Sequence, residues 1–175
     1  MKGQYFFALR TKKRDGHDFV KDALNKGAAF VIIDNSAFKI DERCILVRNT
    51  LQTLHDLARK HRENLANLKV IAIAGSNGKT TTKELVTAVL STQYKTFSTM
   101  GNLNNHLGVP LTILNISKSH EIAVIEMGAN HLNEHNQLCE IAQPTYGLVT
   151  NCGKDHLEGY GSQTAVISSN LEVYK

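Results

Sequence analysis

Two rhythms of apolar and polar positions divide this chain. In the first stretch, Tyr5 to Leu9 is continuously apolar and predicts a buried strand, and the charged run Lys12 to Gly16 predicts a turn. Phe19, Ala23 and Leu24 recur at helical spacing, with Gly27 placed to end that helix. Phe30 to Ile33 and Ile45 to Val47 predict two more strands. Leu51, Leu54, Leu57 and Ala58 mark a helix running to about Leu65. Residues 1–66 therefore predict a small α/β domain, incomplete at its start.

From Val70 the pattern becomes repeated strand–helix units. Strands are predicted at 70–74, 95–98, 122–126 and 145–150, and helices at 79–92, 133–142 and 163–174. Such alternation predicts a parallel sheet with helices on its faces. Ligands then bind beyond the carboxyl ends of the strands. Residues 67–175 form this second domain, and both ends of the chain read as cut, so it is expected to be incomplete at its end.

Composition narrows the class. In 175 residues, 42% are apolar and 21% charged, which is ordinary for a soluble globular chain. The net charge of +4 is scattered apart from Lys12-Lys13-Arg14. It suits an anionic small ligand and is too diffuse to argue for nucleic acid. Three cysteines without CxxC spacing argue against a disulfide framework and for a reducing, cytoplasmic setting. Cys44 and Cys139, among apolar neighbours, predict buried thiols. No apolar run approaches the roughly 20 residues a membrane span needs, and no signal-peptide core is seen, so no membrane insertion is expected.

The chemistry centres on Ala74-Gly75-Ser76-Asn77-Gly78-Lys79-Thr80-Thr81. An apolar strand runs into a glycine loop that delivers a lysine and a hydroxyl to a helix start. Glycines let backbone approach phosphates, the loop N–H groups would point at them, and the helix N-terminus adds partial positive charge. Lys79 would reach the outer phosphates of a nucleotide triphosphate and the Thr80 hydroxyl would sit on Mg²⁺. The general Gly-x-x-x-x-Gly-Lys-Ser/Thr pattern is not met, because its first glycine would fall at Ile73. The alternative is an ordinary strand-to-helix turn. On the phosphate reading the fold class is α/β, a small N-terminal α/β domain followed by a truncated parallel-sheet P-loop nucleotide-binding domain.

Three further segments fall at carboxyl edges of predicted strands. Glu126 ends an apolar strand, where a carboxylate needs a cation or donors if it is buried. The loop Asn151 to His156 opens on the same edge, so His156 reads as a metal ligand, a phosphate contact or a plain surface residue, with Asp155 beside it. Asn102, Asn104 and Asn105 crowd one loop, where amides suit sugar, amide or phosphate recognition, or simply turn geometry. His131 to His135 matches the H-x-x-E-H spacing of zinc peptidases, but Asn130 to Asn133 read as a helix start, with Asn133 as a cap.

With these pieces in order, the chain resembles the Mur ligase family, the ATP-dependent amide-bond ligases of peptidoglycan synthesis. The likeness rests on Tyr5 to Leu9, Asp15 to Phe19, Gly75 to Glu84, Gly101 to Asn105 with Gly108 to Pro110, Ile125 to Asn130, and His156 to Ser162. The short glycine loop is this family's own form. Within the family the likeness points to the member that joins D-alanyl-D-alanine to UDP-N-acetylmuramoyl tripeptide through an acyl phosphate, a cytoplasmic step in cell wall biogenesis that serves cell shape and division.

The resemblance implies that the first domain grips the uridine nucleotide and the second binds ATP through Ala74 to Thr81. Lys79 would steady the γ-phosphate, Thr80 and Glu126 would hold Mg²⁺, His156 would serve a second Mg²⁺, and Lys79, Glu126 and His156 form the catalytic set. Asn102, Asn104 and Asn105 would face the muramoyl peptide. At Asn170, aligned without a gap, relatives carry a carbamylated lysine, a group asparagine cannot form. Asp155 stands where relatives often have a small residue. Other Mur-type or folylpolyglutamate-type ligases, and a non-catalytic nucleotide-binding module, are the competing readings.

Overall fold

The structure, a computed structural model, describes residues 3–11, 13–153 and 160–174. The chain divides into two units, residues 1–56 and 57–175. In the first, β1 (Tyr5–Phe7), β2 (Phe30–Ile33) and β3 (Cys44–Leu46) pair in parallel in that order. Parallel pairing needs crossovers. A 3₁₀ turn (Gly16–Phe19) leads into α1 (Val20–Asn25) for the first of them. Gly27, at φ +85°, ends that helix as its position in the sequence indicated. Val20, Ala23 and Leu24 of α1 bury against Val31 and Ile33 of β2, with Ala8, Ala28 and Cys44 completing the core.

Asp15 and His17 fix the loop after β1. The Asp15 carboxylate accepts from the His17 amide at 2.9 Å, and the His17 Nδ1 lies 2.6 Å from it. His17 Nε2 accepts from the Asp34 amide at 3.2 Å, so the ring proton is on Nδ1. These bonds hold the Asp15 carboxyl down at about 2. Asp34 in turn accepts from the Thr50 amide at 3.1 Å, at the start of α2 (Thr50–Glu63).

The second unit is a four-stranded parallel sheet of β4 (Lys69–Ala74), β5 (Thr96–Ser98), β6 (Ile122–Glu126) and β7 (Tyr146–Val149), in the order β5-β6-β4-β7. β4 and β6 are nearly continuous apolar runs because helices cover both faces. Its helices include α3 (Lys79–Leu90), α4 (Gly108–Leu114), α5 (Glu134–Ala142) and α6 (Gln163–Asn170). A 3₁₀ turn, Leu171–Tyr174, follows α6, so the helix expected over 163–174 tightens at its end. The core gathers Val70, Ala72 and Ala74 with Val109, Ile113, Ala123, Ile125, Met127 and Leu138.

Helix α4 is not legible from periodicity. No element is predicted over Gly108–Leu114, yet proline is tolerated in a helix's first turn, where its missing N–H has no partner to lose. Asn105 Oδ1 caps this helix by accepting from the amides of Leu107 and Gly108.

Arg62, near the end of α2, is 8% exposed and acts as a backbone staple. Its guanidinium donates to the carbonyls of Ala142 at 2.9 Å, Leu65 at 3.0 Å, Gln143 at 3.2 Å and Leu68 at 3.3 Å. No carboxylate is needed, because the C-terminal end of α5 supplies partial negative charge. Replacing Arg62 with leucine strands these carbonyls and should lower unfolding stability by about 3 kcal/mol in urea titrations. A loss below about 1 kcal/mol would show that water satisfies the carbonyls equally well.

Candidate phosphate-binding site

The glycine loop leaves the carboxyl end of β4, with β6 on one side and β7 on the other. Gly75 has φ +130°, and a Cβ there would lie 2.1 Å from the Thr150 hydroxyl oxygen, so only glycine fits. Gly78, at φ +78°, is the residue before α3 and brings no side-chain cap to it. The first-turn amides of a helix have no partner within it. Among the described residues, no acceptor takes the amides of Gly78, Lys79, Thr80 or Thr81. This is a cluster of N–H donors at the positive end of a helix.

The loop differs from one whose every N–H faces a ligand. The Ser76 amide donates to the Asn151 carbonyl at 2.9 Å, and the Asn77 amide to Asn151 Oδ1 at 3.2 Å. Asn151 Nδ2 and the Thr150 hydroxyl both donate to the Asn77 carbonyl, at 3.0 and 2.6 Å. The Gly153 amide closes on Ser76 Oγ at 3.0 Å. The segment after β7 thus clamps the loop, and sequence reading gave Thr150 and Asn151 no such role. They lie some 74 positions from Asn77, and only the strand order brings them together. Ala74 is buried at the strand end, and the Lys79 ammonium donates to the carbonyls of Gly75 and Ser76, keeping it over the loop.

Glu126 ends β6, paired in register with Ile73 of β4, one residue before Ala74. It is 1% exposed. One oxygen accepts from Asn104 Nδ2 at 2.8 Å, while Oε2 has no partner among the described residues. A buried carboxylate oxygen without a donor is costly unless a cation meets it. Asn104 also accepts the Gly128 amide through its carbonyl, at 2.7 Å. Asn102 is exposed, and its carbonyl accepts from the Asn104 amide at 2.7 Å. The three asparagines therefore divide. Asn104 touches Glu126, Asn105 caps α4, and Asn102 faces outward. His156 and Asp155 lie outside the described residues.

The H-x-x-E-H segment does not form a metal cluster. Helix α5 begins at Glu134, so His131 lies on the preceding turn. Glu134 accepts from the amides of Asn130 and His131, and its other oxygen lies 3.1 Å from His131 Nδ1. His135 is buried, with Nδ1 against Ser169 Oγ at 3.2 Å. Among the described residues no three His, Cys, Asp or Glu side chains gather to hold a metal. Asn133 precedes α5 at φ +72° without a side-chain cap. The cap expected of it comes instead from the buried Glu172, which accepts from the amides of Asn133 and Asn136 at 2.9 and 3.1 Å. Asn170, 3% exposed, donates from Nδ2 to the Val166 carbonyl. Burial pushes the Cys139 thiol up to about 11, as suits an inert sulfur.

Comparison with known proteins places these features in context. Residues 1–95 match the family model described as "Mur ligase family, catalytic domain", and residues 73–175 match "Mur ligase middle domain". The UDP-N-acetylmuramoyl-tripeptide–D-alanyl-D-alanine ligase of Bacillus subtilis (strain 168) is 41% identical over 172 residues, 97% of this chain and 37% of the relative. That of Haemophilus influenzae is 37% identical over 174 residues, 97% of this chain and 38% of the relative. A crystal structure of MurF from Acinetobacter baumannii superposes with a TM-score of 0.92 at 38% identity, over 99% of this chain and 38% of that one. MurF ligase from Thermotoga maritima in complex with ADP gives 0.89 at 37% identity, over 98% of this chain and 40% of that one. The chain therefore spans little more than a third of the length of the curated relatives it matches.

His135 ties the site's packing to pH. Desolvation lowers its pKa from the usual 6.5, outweighing the pull of Glu172, and the positive charge of Lys79 adds to the lowering. The unfolded chain takes up the proton near 6.5, the folded chain only at lower pH. Stability is therefore lost as pH falls below about 6.5, until the folded value is passed. His135→Leu should flatten the fall in urea midpoint between about pH 7 and pH 5. An unchanged slope would mean that other groups set it.

Proposed function

We propose that this chain, which belongs to the Mur ligase family, carries the uridine-nucleotide-gripping and ATP-binding parts of an ATP-dependent amide-bond ligase. The reaction is the addition of D-alanyl-D-alanine to UDP-N-acetylmuramoyl tripeptide in peptidoglycan precursor synthesis, in the cytoplasm. The relatives named for that reaction, and the MurF ligase of Thermotoga maritima solved with ADP, support the assignment. The observation that carries it is the buried Glu126 with a free carboxylate oxygen, on the strand beside the glycine loop. Residues 1–66 take the uridine nucleotide and residues 67–175 take ATP through Ala74 to Thr81. No described helix is long and apolar enough to cross a membrane.

In this reading the amides of Gly78 to Thr81 hold the phosphates and the Lys79 ammonium leaves the Gly75 and Ser76 carbonyls to neutralise the γ-phosphate. Thr80, Glu126 and His156 are the residues that would hold Mg²⁺, and the free Glu126 oxygen fits that role. When bound, the cation screens phosphate charge. The Asn104 amide keeps Glu126 aimed, and Asn102 and Asn105 border the muramoyl-peptide side. The tripeptide's terminal carboxylate takes the γ-phosphoryl group and ADP leaves. The dipeptide amine then displaces phosphate, forming the amide. The chain supplies positioning and charge, with no protein nucleophile.

A second reading, a nucleotide-binding module without ligation, is favoured by Asn170, whose buried amide is spent on the Val166 carbonyl. Phosphate release from ATP, measured with and without UDP-N-acetylmuramoyl tripeptide, separates the two, because only the ligase reading expects stimulation.

The nucleotide site is tested by titrating the chain with a fluorescent ATP analogue with and without Mg²⁺. Binding should strengthen with Mg²⁺, and Lys79→Ala should weaken it about tenfold or more. Equal affinity in wild type and variant would remove the phosphate assignment.

A further inference from the structure

One turn beyond Lys79, helix α3 carries a second lysine that the phosphate site leaves unexplained. Lys83 is 1% exposed and heads the largest fully buried side chains of the chain. Burying an ammonium costs several kcal/mol unless its donors are met. Lys83 Nζ donates to the Thr99 carbonyl at 2.7 Å and to the Gly101 carbonyl at 3.4 Å, and lies 2.8 Å from Glu84 Oε1. The Glu84 carboxylate is 64% exposed, so its attraction is largely screened. The carbonyls are the contacts that burial strengthens.

Those carbonyls belong to the segment joining β5 to the asparagine loop. Thr99, itself 1% exposed, donates its amide to the Val124 carbonyl at 3.0 Å. Its hydroxyl accepts from the Glu126 amide at 2.9 Å. Gly101 turns the chain at φ +55°. Asn104 then reaches Glu126 Oε1 with its side chain and the Gly128 amide with its carbonyl. Two bonds to the Glu126 residue, one at its backbone and one at its carboxylate, are thus made by a segment whose Thr99 and Gly101 carbonyls Lys83 holds.

We propose that Lys83 is a positioning residue for the Glu126 carboxylate. Its ammonium pins residues 99–101 to the helix that begins at the glycine loop, so that Asn104 engages one carboxylate oxygen and leaves the other for a cation. A merely space-filling side chain would keep the packing but lose the charged link between helix and loop. Lys79 and Lys83, four apart on one helix face, then divide two tasks, one toward phosphate and one toward the carboxylate. The proposal rests on the Mg²⁺–phosphate reading of the site, and its test separates the two.

The test compares the wild-type chain with Lys83→Met and Lys83→Arg by two readouts. The first is amide hydrogen exchange without any ligand. Residues 99–105 should exchange about tenfold faster in Lys83→Met, residues 75–81 should not change, and Lys83→Arg should restore most of the protection. The second is ATP-analogue affinity. Without Mg²⁺ it should stay within about twofold of wild type, while the gain from Mg²⁺ should fall about tenfold. Thr99→Val, which keeps the carbonyl and removes the hydroxyl, should lose the same gain, and the double variant should lose little more. If Lys83→Met does not fold, Lys83→Gln, with a donor but no charge, carries both readouts. Unchanged exchange at 99–105, or faster exchange spread evenly over residues 57–174, overturns the proposal. A wild-type chain that binds no nucleotide overturns the phosphate reading instead, and the exchange result still decides Lys83.

Discussion

A carboxylate buried at the end of a strand, with only one of its oxygens satisfied among the described residues, is the constraint from which the second unit is best understood. Glu126 is at the carboxyl end of β6 with Asn104 on Oε1 and nothing described on Oε2. Leaving a carboxylate oxygen unpartnered in low dielectric is unfavourable by itself, and a cation at that oxygen would offset the cost. The surroundings are arranged to keep the oxygen available. The Thr99 hydroxyl takes the Glu126 amide, and the Asn104 carbonyl takes the Gly128 amide, so these two backbone donors are not left to turn toward Oε2.

The strand order makes this carboxylate a neighbour of the glycine loop. Chain order alone would set β5 next to β4. Instead β4 pairs with β6 on one side and with β7 on the other. Helix crossovers of a parallel sheet permit such a jump, and ligand sites form beyond the carboxyl ends of strands at the point where the order departs from sequence. The loop after β4 therefore meets Glu126 from β6 and Thr150-Asn151 from β7, three segments drawn from across the unit.

Much of this was legible in local pattern. Apolar runs bounded by turn residues gave every strand of both sheets to within a residue or two, and glycine, lysine and threonine in order gave the start of α3. Glu126 was legible because an acid interrupting an apolar run has few explanations. What escaped depends on contacts across the sheet. Asn151 clamps Ser76 and Asn77 only because β7 lies beside β4. Glu172 caps α5 from 36 and 39 positions away, which no capping pattern on Asn133 could reveal. The left-handed backbone at Asn133 is the single part of that cap its side chain explains, since asparagine tolerates φ above zero better than most residues. Helix α4 escaped for the opposite reason, a local signal that misleads, because Gly-Val-Pro favours a turn until Asn105 supplies a cap.

The clamp on the glycine loop bears on the cost of ordering such a loop around an anion. A free loop rich in glycine would have to be ordered by its ligand, at about 1–2 kcal/mol for each residue fixed. Here the amides of Ser76 and Asn77 are already bonded to Asn151, and the Asn77 carbonyl is held by two donors. Those groups give up direct contact with an anion, and in exchange the unused amides of Gly78 to Thr81 are fixed in direction before any ligand arrives. Preorganised dipoles need no reorientation when charge enters, and that is where polar sites gain most over water. The same logic applies on the other wall, where Asn104 and Thr99 fix Glu126 from its side chain and its backbone. The clamp from Thr150 and Asn151 is made of neutral groups, whereas the other wall includes the Lys83 ammonium and a bond to one Glu126 oxygen, which leaves Glu126 Oε2 without a described partner.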